Sequence, residues 1–364
     1  MTLERFKLRS SELGVYEPGE PIETLAERVG LPSDRILKLN ANENLFLPRS
    51  KLQRIMAEAT SETDPRLYPG EEEELLAGKL ASLHDISTDQ IVIGSGGDQI
   101  INLVISSILR PTDTLLAVTP TFSMYPRTVA IRGVTYRVAP LDNRFMMDGE
   151  KVVEEAREVD LIVLCNPNNP TSNQLPRGEV MKVVEGFDGP VLIDEAYAEF
   201  GQYSLIDEAA ERDNLIILRT FSKAYGLAGL RLGYAVTNTV LARTLAERYM
   251  MPFSVPSLVL RIGVRLLEEQ AMIREAVEEV KLERGFLVDS LNKIEGVRAF
   301  PSDTNFILFC TRKPHEDVYA SLLERGVIVR RIGSVPGYEN CLRVTVTPRM
   351  ATMKFLDALK EVVA

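Results

Sequence analysis

Between residues 70 and 240 the chain alternates short, continuous apolar runs with longer stretches of helical periodicity. Continuous apolar runs are typical of strands buried on both faces, and strands that alternate with helices form a mainly parallel sheet covered by helices. The pattern therefore predicts an α/β domain. The predicted strands are 91–93, 115–118, 161–164, 191–193 and 215–218.

The C-terminal third follows a different pattern. Residues 239–294 are predicted to form long helices, and the stretch 255–294 is expected to link two lobes because only Pro256 and isolated glycines interrupt it. Beyond residue 296 strand-like and helical segments are mixed, which predicts a small α+β lobe. Its predicted elements are strands at 305–309, 327–329 and 342–346, a helix at 315–325 and a final helix from Pro348.

Charge and hydropathy exclude several classes of partner. The 364-residue chain has a net charge of −10, whereas nucleic acids and anionic membranes favour clustered Lys and Arg. No apolar run reaches the roughly 18–20 residues of a membrane helix. Residues 1–7 lack the apolar core of a signal peptide, so a cytoplasmic location is expected.

Cysteine and histidine content narrows the chemistry further. The three cysteines, Cys165, Cys310 and Cys341, form no C-x-x-C pair, and their odd number predicts no disulfide framework and suits a reducing compartment. The only histidines, His84 and His315, lie at the end and the start of predicted helices, where both are expected to be solvated. Neither a histidine-based metal site nor a Ser-His-Asp triad is therefore expected.

Polar side chains and glycine-rich turns follow the predicted strands. In open α/β sheets, ligands bind at the carboxyl ends of the strands. The segment 94–99 precedes a predicted helix at 98–109, and free N–H groups at a helix start form an anion site. Because this segment lacks the third glycine of a dinucleotide fingerprint and no P-loop motif occurs, a monophosphate fits better than NAD or ATP.

One lysine, Lys223, lies in the turn 220–226 after the last predicted strand. A lysine there is usually a surface residue, but both Ser222 and Arg231 can bind a phosphate. A lysine beside phosphate ligands can form an imine with a carbonyl compound when its pKa is lowered.

A carboxylate and a phenol lie three residues apart at Asp194 and Tyr197. Asp194 could cap a helix, or it could pair with a protonated pyridine nitrogen and keep the ring of pyridoxal 5′-phosphate (PLP) an electron sink. Tyr197 and Asn169 could donate to the 3′-oxygen of that ring. The run 166–170 around Asn169 is also compatible with a simple turn. Together with Lys223 and its phosphate ligands, the set matches what PLP requires.

On these motifs the chain resembles the fold-type I PLP-dependent aminotransferases along nearly all its length, and among them the histidinol-phosphate aminotransferases most. The resemblance implies a large domain of three layers with a mainly parallel sheet, a small α+β domain, and a homodimer with active sites at its interface. It divides the chain into an N-terminal arm with part of the small domain (1–48), a large PLP-binding domain (49–250), and linker helices with the small C-terminal domain (251–364). The motifs are Leu39–Asn44, Leu67–Gly70, Pro120–Tyr125, Asn166–Thr171, Asp194 with Tyr197, Ser222–Lys223 with Arg231, and Cys341–Val344.

The resemblance also implies a role for each matching residue. Lys223 forms the Schiff base with PLP and shuttles a proton, Asp194 holds the pyridinium, and Tyr197 with Asn169 holds the 3′-oxygen. Phe122 stacks on the ring. The implied phosphate ligands are the backbone amides of Gly97, Asp98 and Gln99, the side chains of Ser222 and Arg231, and Tyr68 of the partner subunit. The substrate's distal anion is assigned to Arg343 and Arg330, with Tyr16 near the same pocket.

Two residues depart from the pattern of the family. Ser172 stands where these enzymes usually have glycine, and a serine at positive φ would cost roughly 1–2 kcal/mol. Phe122 stands where members of the subfamily often have tyrosine, so stacking is kept and a hydroxyl is lost.

The implied activity is exchange of the amino group of L-histidinol phosphate with 2-oxoglutarate, a step of histidine biosynthesis. A threonine-phosphate decarboxylase and an aromatic amino acid aminotransferase share the fold and remain alternatives. A PLP-sensing half of a transcription regulator is disfavoured, because no helix-turn-helix segment precedes residue 30 and the chain is acidic.

Overall fold

The computed structural model describes residues 3–11, 13 and 20–364. Its helices are α1 (Leu3–Ser11), α2 (Ile22–Val29), α3 (Arg49–Ser61), α4 (Glu72–His84), α5 (Gly96–Ile108), α6 (Met124–Arg132), α7 (Gly149–Glu155), α8 (Arg177–Gly186), α9 (Ile206–Glu211), α10 (Thr239–Thr244), α11 (Ser257–Glu268), α12 (Gln270–Leu291), α13 (His315–Glu324) and α14 (Arg349–Val363). Its strands are β1 (Leu37–Lys38), β2 (Ile91–Gly94), β3 (Thr114–Thr119), β4 (Thr135–Pro140), β5 (Leu161–Cys165), β6 (Val191–Asp194), β7 (Leu215–Thr220), β8 (Gly233–Val236), β9 (Val297–Ala299), β10 (Phe306–Thr311), β11 (Val327–Ile328), β12 (Arg330–Val335) and β13 (Tyr338–Thr345).

A seven-stranded sheet forms the centre of the molecule, in the order β2-β8-β7-β6-β5-β3-β4. Strand β8 is antiparallel to both of its neighbours, and the other pairings in this sheet are parallel. The carboxyl ends of β3, β5, β6 and β7 therefore meet at one edge. This arrangement confirms the predicted α/β fold with a mainly parallel sheet.

Both faces of the sheet are covered by apolar layers, because its strands are apolar at successive positions. Val163, Leu192 and Ile216 pack into one cluster, which includes residues of α5 and α6. Their neighbours along the same strands pack into a second cluster on the other face, which includes residues of α8, α11 and α12. The three-layer architecture follows from this alternation.

Two smaller sheets lie beyond the large one. Strands β12-β13-β10-β9 form an antiparallel sheet, whereas β1 near the N-terminus pairs in parallel with β11. The β1–β11 pairing connects the segment before residue 48 to the C-terminal lobe. No helix among the described residues is long and apolar enough to cross a membrane.

Two expectations about cysteine and histidine were wrong. Cys310 and Cys341 are joined by a disulfide, because the antiparallel register of β10 and β13 places them directly opposite each other. The histidines are half-buried rather than solvated. His84 lies 2.7 Å from the Tyr234 hydroxyl, and burial followed by the Arg219 charge lowers its pKa to about 3. His315 contacts Asn340.

Candidate active site

A cavity of about 490 Å³ opens at the carboxyl ends of β5, β6 and β7. The start of α5, the segment after β3, residues 40–42 and strands β12 and β13 complete its walls. The cavity therefore lies between the large sheet and the C-terminal lobe. The predicted site residues that line it are Gly97, Asp98, Phe122, Asn169, Asp194, Tyr197, Ser222, Lys223, Arg231, Arg330 and Arg343.

One end of the cavity is suited to a phosphate. Helix α5 begins at Gly96, so the first backbone N–H groups of the helix lack intrahelical acceptors. Arg231 donates to the Ser222 hydroxyl at 3.3 Å and to the Asp98 carboxylate at 2.8 Å. Gly96 has a φ of +78°, and a Cβ there would lie 2.7 Å from the Arg231 guanidinium. Glycine is thus required for the arginine to approach the helix start.

Asp194 is a buried carboxylate at the end of β6. Its Oδ2 accepts a hydrogen bond from the Tyr125 hydroxyl at 2.7 Å, and its Oδ1 accepts from the Ala196 amide at 3.0 Å. Burial raises the pKa of Asp194 to about 6, although both hydrogen bonds act in the opposite direction. Since the side chain also lines the cavity, it can pair with a cationic group of a ligand.

Lys223 extends into the cavity from the turn after β7. Its Nζ donates to the Ala41 carbonyl at 3.2 Å and lies 5.6 Å from the centre of the Tyr197 ring. Burial, together with the positive charge of Arg343, lowers the pKa of Lys223 from 10.5 to about 8. A substantial fraction of this amine is therefore neutral near pH 8, as a nucleophile requires.

Tyr197 and Phe122 lie in the same cavity. The Tyr197 hydroxyl accepts a hydrogen bond from Asn42 Nδ2 at 2.9 Å. Phe122 contacts Tyr125 edge to face, with ring centres 5.8 Å apart. Tyr125 thus contacts both Asp194 and the residue predicted to stack on the ring.

The opposite end of the cavity is rich in arginine. Arg343 on β13 donates to Asn169 Oδ1 at 2.5 Å and to the Asn40 carbonyl at 2.9 Å. The register pairs it directly with Arg330 on β12. Two guanidinium groups at this end can bind an anion separate from the one at the start of α5.

Two of the predicted site residues that the structure describes, Gln99 and Tyr68, do not line the cavity. The Gln99 side chain accepts a hydrogen bond from the Ser95 amide. The backbone amide of Gln99 lies in the first turn of α5. Tyr68 is 79% exposed and stacks on Phe253 with ring centres 4.7 Å apart. Tyr16 lies outside the described residues.

Ser172 has a φ of +68°, so the substitution for glycine does fall in the left-handed region. Its hydroxyl donates to the Thr171 carbonyl at 2.6 Å, and its own carbonyl accepts from the Asp303 amide. The hydrogen bond with Asp303 joins the loop after β5 to the segment before β10.

Two residues of the site received no role from the sequence. Tyr125 and Asn42 were part of recognised motifs, but their functions depend on contacts with Asp194 and Tyr197 that only the folded chain reveals. In the sequence, Tyr125 could be singled out only because it lies three residues after Phe122, and Asn42 only because it lies two residues before Asn44.

Comparisons with known proteins agree with this geometry. The family model described as aminotransferase class I and II matches residues 34–360. The chain belongs to this family. Membership confirms the prediction of a PLP-dependent aminotransferase, and with it the predicted cofactor.

Individual relatives show which members of the family the chain resembles. The chain is 34% identical to histidinol-phosphate aminotransferase of Caldanaerobacter subterraneus, over 90% of this chain and 93% of that protein. It is 35% identical to the enzyme of the same name from Roseiflexus castenholzii, over 95% of each. The crystal structure of histidinol-phosphate aminotransferase from Sinorhizobium meliloti in complex with PLP has the same fold, with a TM-score of 0.88, 24% identity and coverage of 100% and 98%.

The residues of the cavity fit the cofactor of this family. PLP needs an amine, an anion site and a carboxylate, and Lys223, Arg231 with Ser222, and Asp194 supply them around one cavity. A buried carboxylate without a cationic partner is costly, and the raised pKa of Asp194 reflects that cost. A protonated ring nitrogen would supply the missing charge.

Proposed function

We propose that this protein transfers the amino group of L-histidinol phosphate to 2-oxoglutarate, giving imidazole acetol phosphate and L-glutamate. The observation that carries the proposal is the arginine pair Arg343 and Arg330, placed at the opposite end of the cavity from the cofactor-phosphate site. Planar guanidinium groups can bind a phosphate or a carboxylate. One pocket can therefore serve both the phosphorylated donor and the dicarboxylic acceptor. The names of the curated relatives point to the same donor.

Each residue of the cavity has a separate role in the proposed reaction. When bound, PLP supplies a ring that withdraws electrons from the substrate's α-carbon. Lys223 Nζ would hold the cofactor covalently and carry the proton that moves during the reaction. Asp194 would keep the ring nitrogen protonated, and Tyr197 with Asn169 would bind the 3′-oxygen. Gly97, Asp98 and Gln99 through their amides, with Ser222 and Arg231, would hold the phosphate, while Phe122 would stack on the ring.

A homodimer is part of this proposal. Tyr68 is exposed and stacks on Phe253, away from the cavity of its own chain, and Leu67 and Met251 nearby are also exposed. An apolar surface of this kind is typical of an interface between subunits. We propose that Tyr68 of each subunit completes the phosphate site of its partner, and that Tyr16 contributes to the substrate pocket.

The proposed location is the cytoplasm, where amino-acid biosynthesis takes place. The acidic net charge is consistent with it. Strands β10 and β13 pair over five residues each, so backbone hydrogen bonds join these strands in addition to the Cys310–Cys341 bond. In a reducing compartment both cysteines would be thiols.

A panel of amino donors tests the substrate. The kcat/KM for histidinol phosphate should exceed that for histidinol, phenylalanine and tyrosine by more than tenfold, because charge-assisted hydrogen bonds to a buried arginine contribute roughly 1.5–3 kcal/mol each. Arg343→Ala should remove most of this preference, whereas Arg312→Ala, on the surface, should leave it intact. Equal turnover of phenylalanine or tyrosine would identify an aromatic aminotransferase. Release of carbon dioxide from threonine phosphate without amino transfer would identify a lyase.

A further inference from the structure

Asn42 is held in a conformation that most residues avoid. It has a φ of +55° and is 1% exposed, and it lines the cavity. Its backbone N–H donates to the Thr345 hydroxyl at 3.0 Å, and its carbonyl accepts from Asn305 Nδ2 at 2.9 Å. The C-terminal lobe thus fixes the backbone of Asn42 at two points. A buried non-glycine residue in the left-handed region, fixed in this way, is commonly found at functional sites.

The Asn42 side chain is aimed at Tyr197. Its Nδ2 donates to the Tyr197 hydroxyl at 2.9 Å, while its Oδ1 is buried and has no hydrogen-bond partner among the described residues. A phenol can donate one hydrogen bond and accept others. Because the Tyr197 oxygen already accepts from Asn42, the phenol proton must point elsewhere, and no acceptor for it occurs in the described part of the chain. At this point the Asn42 amide oxygen has no hydrogen-bond partner among the described residues, and the Tyr197 hydroxyl has a partner for its oxygen but not for its proton. Unused hydrogen-bonding capacity of this kind is typical of a ligand-binding site.

We propose that Asn42 is a positioning residue for Tyr197: by donating to the phenol oxygen, it commits the phenol proton to the acceptor that fills the cavity. This inference rests on the proposed function, in which that acceptor is the 3′-oxygen of PLP. A hydrogen bond donated by the phenol makes the 3′-oxygen of the cofactor less basic. The phenol is therefore expected to lower the pH at which the visible absorbance of the bound cofactor changes. Loss of the Asn42 donor should raise this midpoint.

Two substitutions separate this role from a purely structural one. Asn42→Gly removes the amide without adding charge, and glycine adopts the left-handed backbone readily. Asn42→Asp keeps the shape and also tolerates this backbone, but it replaces the donor by an acceptor that would take the phenol proton. The midpoint of the absorbance change should rise by about one pH unit, tenfold in proton affinity, for Asn42→Asp. For Asn42→Gly it should rise by less.

A double-mutant cycle shows whether Tyr197 transmits the effect. In the Tyr197→Phe protein no phenol proton remains, so Asn42→Gly should leave the midpoint unchanged, and the shift caused by Asn42→Asp should shrink to the effect of its charge alone. Asn40→Ala is the matched control, because Asn40 lies in the same segment and lines the same cavity but makes no hydrogen bond to Tyr197. It should not move the midpoint.

The possible outcomes are distinct. A midpoint that falls in Asn42→Gly would mean that the amide oxygen faces the phenol and accepts its proton, and the inference would be wrong. A midpoint that stays unchanged in both Asn42 variants would contradict the inference as well, because the amide would then have no effect on the cofactor. Equal shifts with and without the Tyr197 hydroxyl would also overturn it, because the effect would then bypass Tyr197. If wild-type protein acquires no visible absorbance with PLP, the proposed function itself fails.

Discussion

Asp194 is buried and Lys223 is half-buried, and burial moves the pKa of each toward neutrality from opposite sides. The pKa of Lys223 falls to about 8 and that of Asp194 rises to about 6. In each case the fold disfavours the charged form. The lowered pKa makes the Lys223 amine a better nucleophile, and the raised pKa of Asp194 means that a cation beside the carboxylate would stabilise its ionised form.

Lys223→Ala should abolish covalent capture of PLP and turnover while the protein still folds. Capture by the wild-type apoenzyme, trapped with borohydride, should rise through pH 8, because the neutral amine becomes abundant there, rather than near the pKa of 10.5 of an ordinary lysine. Lys79→Ala is a suitable control, since Lys79 forms a surface ion pair with Glu268. Transamination by Lys223→Ala near the wild-type rate would assign the nucleophile to another lysine.

Asp194→Asn should have opposite effects on stability and catalysis. A carboxyl whose pKa is raised on folding costs stability once it ionises, so the cost is absent below pH 3.8 and complete above about pH 6. At pH 8 the apoenzyme variant should be more stable than wild type by roughly 2–3 kcal/mol, measured by urea unfolding. Its kcat with PLP should fall about a hundredfold or more, since an amide cannot keep the ring nitrogen protonated. A holoenzyme within a few-fold of wild type would reduce Asp194 to a structural role.

Ser172 allows the cost of its backbone conformation to be measured. Ser172→Ala removes the hydroxyl and keeps a Cβ at a φ of +68°, whereas Ser172→Gly removes both. The glycine variant should therefore be the more stable of the two by roughly 1–2 kcal/mol. Denaturant midpoints of the two proteins, measured side by side, provide the test. An alanine variant as stable as the glycine variant would show that the loop relaxes around the side chain.

Sequence motifs identified most residues of the site but not the contacts between them. Asp194 ends β6, Lys223 follows β7, and Arg231 precedes β8. Because β8 is antiparallel to β7, its start lies at the same edge of the sheet as the ends of β6 and β7, and the sheet brings the three residues together. Tyr125 is different: its contact with Asp194 depends on how α6 packs across the end of β6, and no local pattern encodes that distance. The partners of Asn42 are more than 150 residues away along the chain.

At the scale of elements, periodicity predicted the strands that are continuous apolar runs and missed β4, β8 and β12. All five continuous apolar runs are strands. The edge strand β4 has an alternating, partly exposed pattern, and β8 is a four-residue strand that begins with glycine. Strand β12 begins with two arginines. Such segments become strands because a neighbouring strand pairs with them, which a local pattern does not show.

Strand β6, which ends at Asp194, and strand β7, which precedes Lys223, are joined by an ion-pair network on the face opposite the cavity. Leu218 and Thr220 line the cavity, so the alternation along β7 turns Arg219 to the other face. Arg219 contacts Glu195 at 3.2 Å and Glu199 at 2.7 Å. The Glu195 side chain is fully buried, and burial raises its pKa. The network fixes the turn after β6 against β7.

Arg219→Met should be strongly destabilising, by about 3–5 kcal/mol, because it leaves two carboxylates without their cation in a buried environment. The double variant Arg219→Met, Glu195→Gln should recover part of this loss, since it removes one unpaired charge. Urea unfolding of the apoenzymes at neutral pH measures both. If the single variant is as stable as wild type, the network does not hold the two strands together.

At the scale of the whole molecule, the open question is whether two chains build each active site. Tyr68 is exposed and does not line the cavity of its own chain, whereas Lys223 and Asp194 line that cavity together. If Tyr68 serves the partner, a Lys223→Ala chain with intact Tyr68 should complement a Tyr68→Ala chain, because one site of the mixed dimer is then complete. Dimers isolated with two different affinity tags should regain about half of the wild-type activity, since one of two sites works.

The matched control pairs Lys223→Ala with Asp194→Asn, two changes within one cavity. Such mixed dimers contain an intact Lys223 only beside an altered Asp194, so they should gain no more activity than the Asp194→Asn chain contributes by itself. Recovery in the Tyr68 combination alone would demonstrate a shared site, because only Tyr68 would then cross the interface. Mixed dimers of Lys223→Ala and Tyr68→Ala that stay at the level of the parent proteins would place Tyr68 outside the active site of the partner.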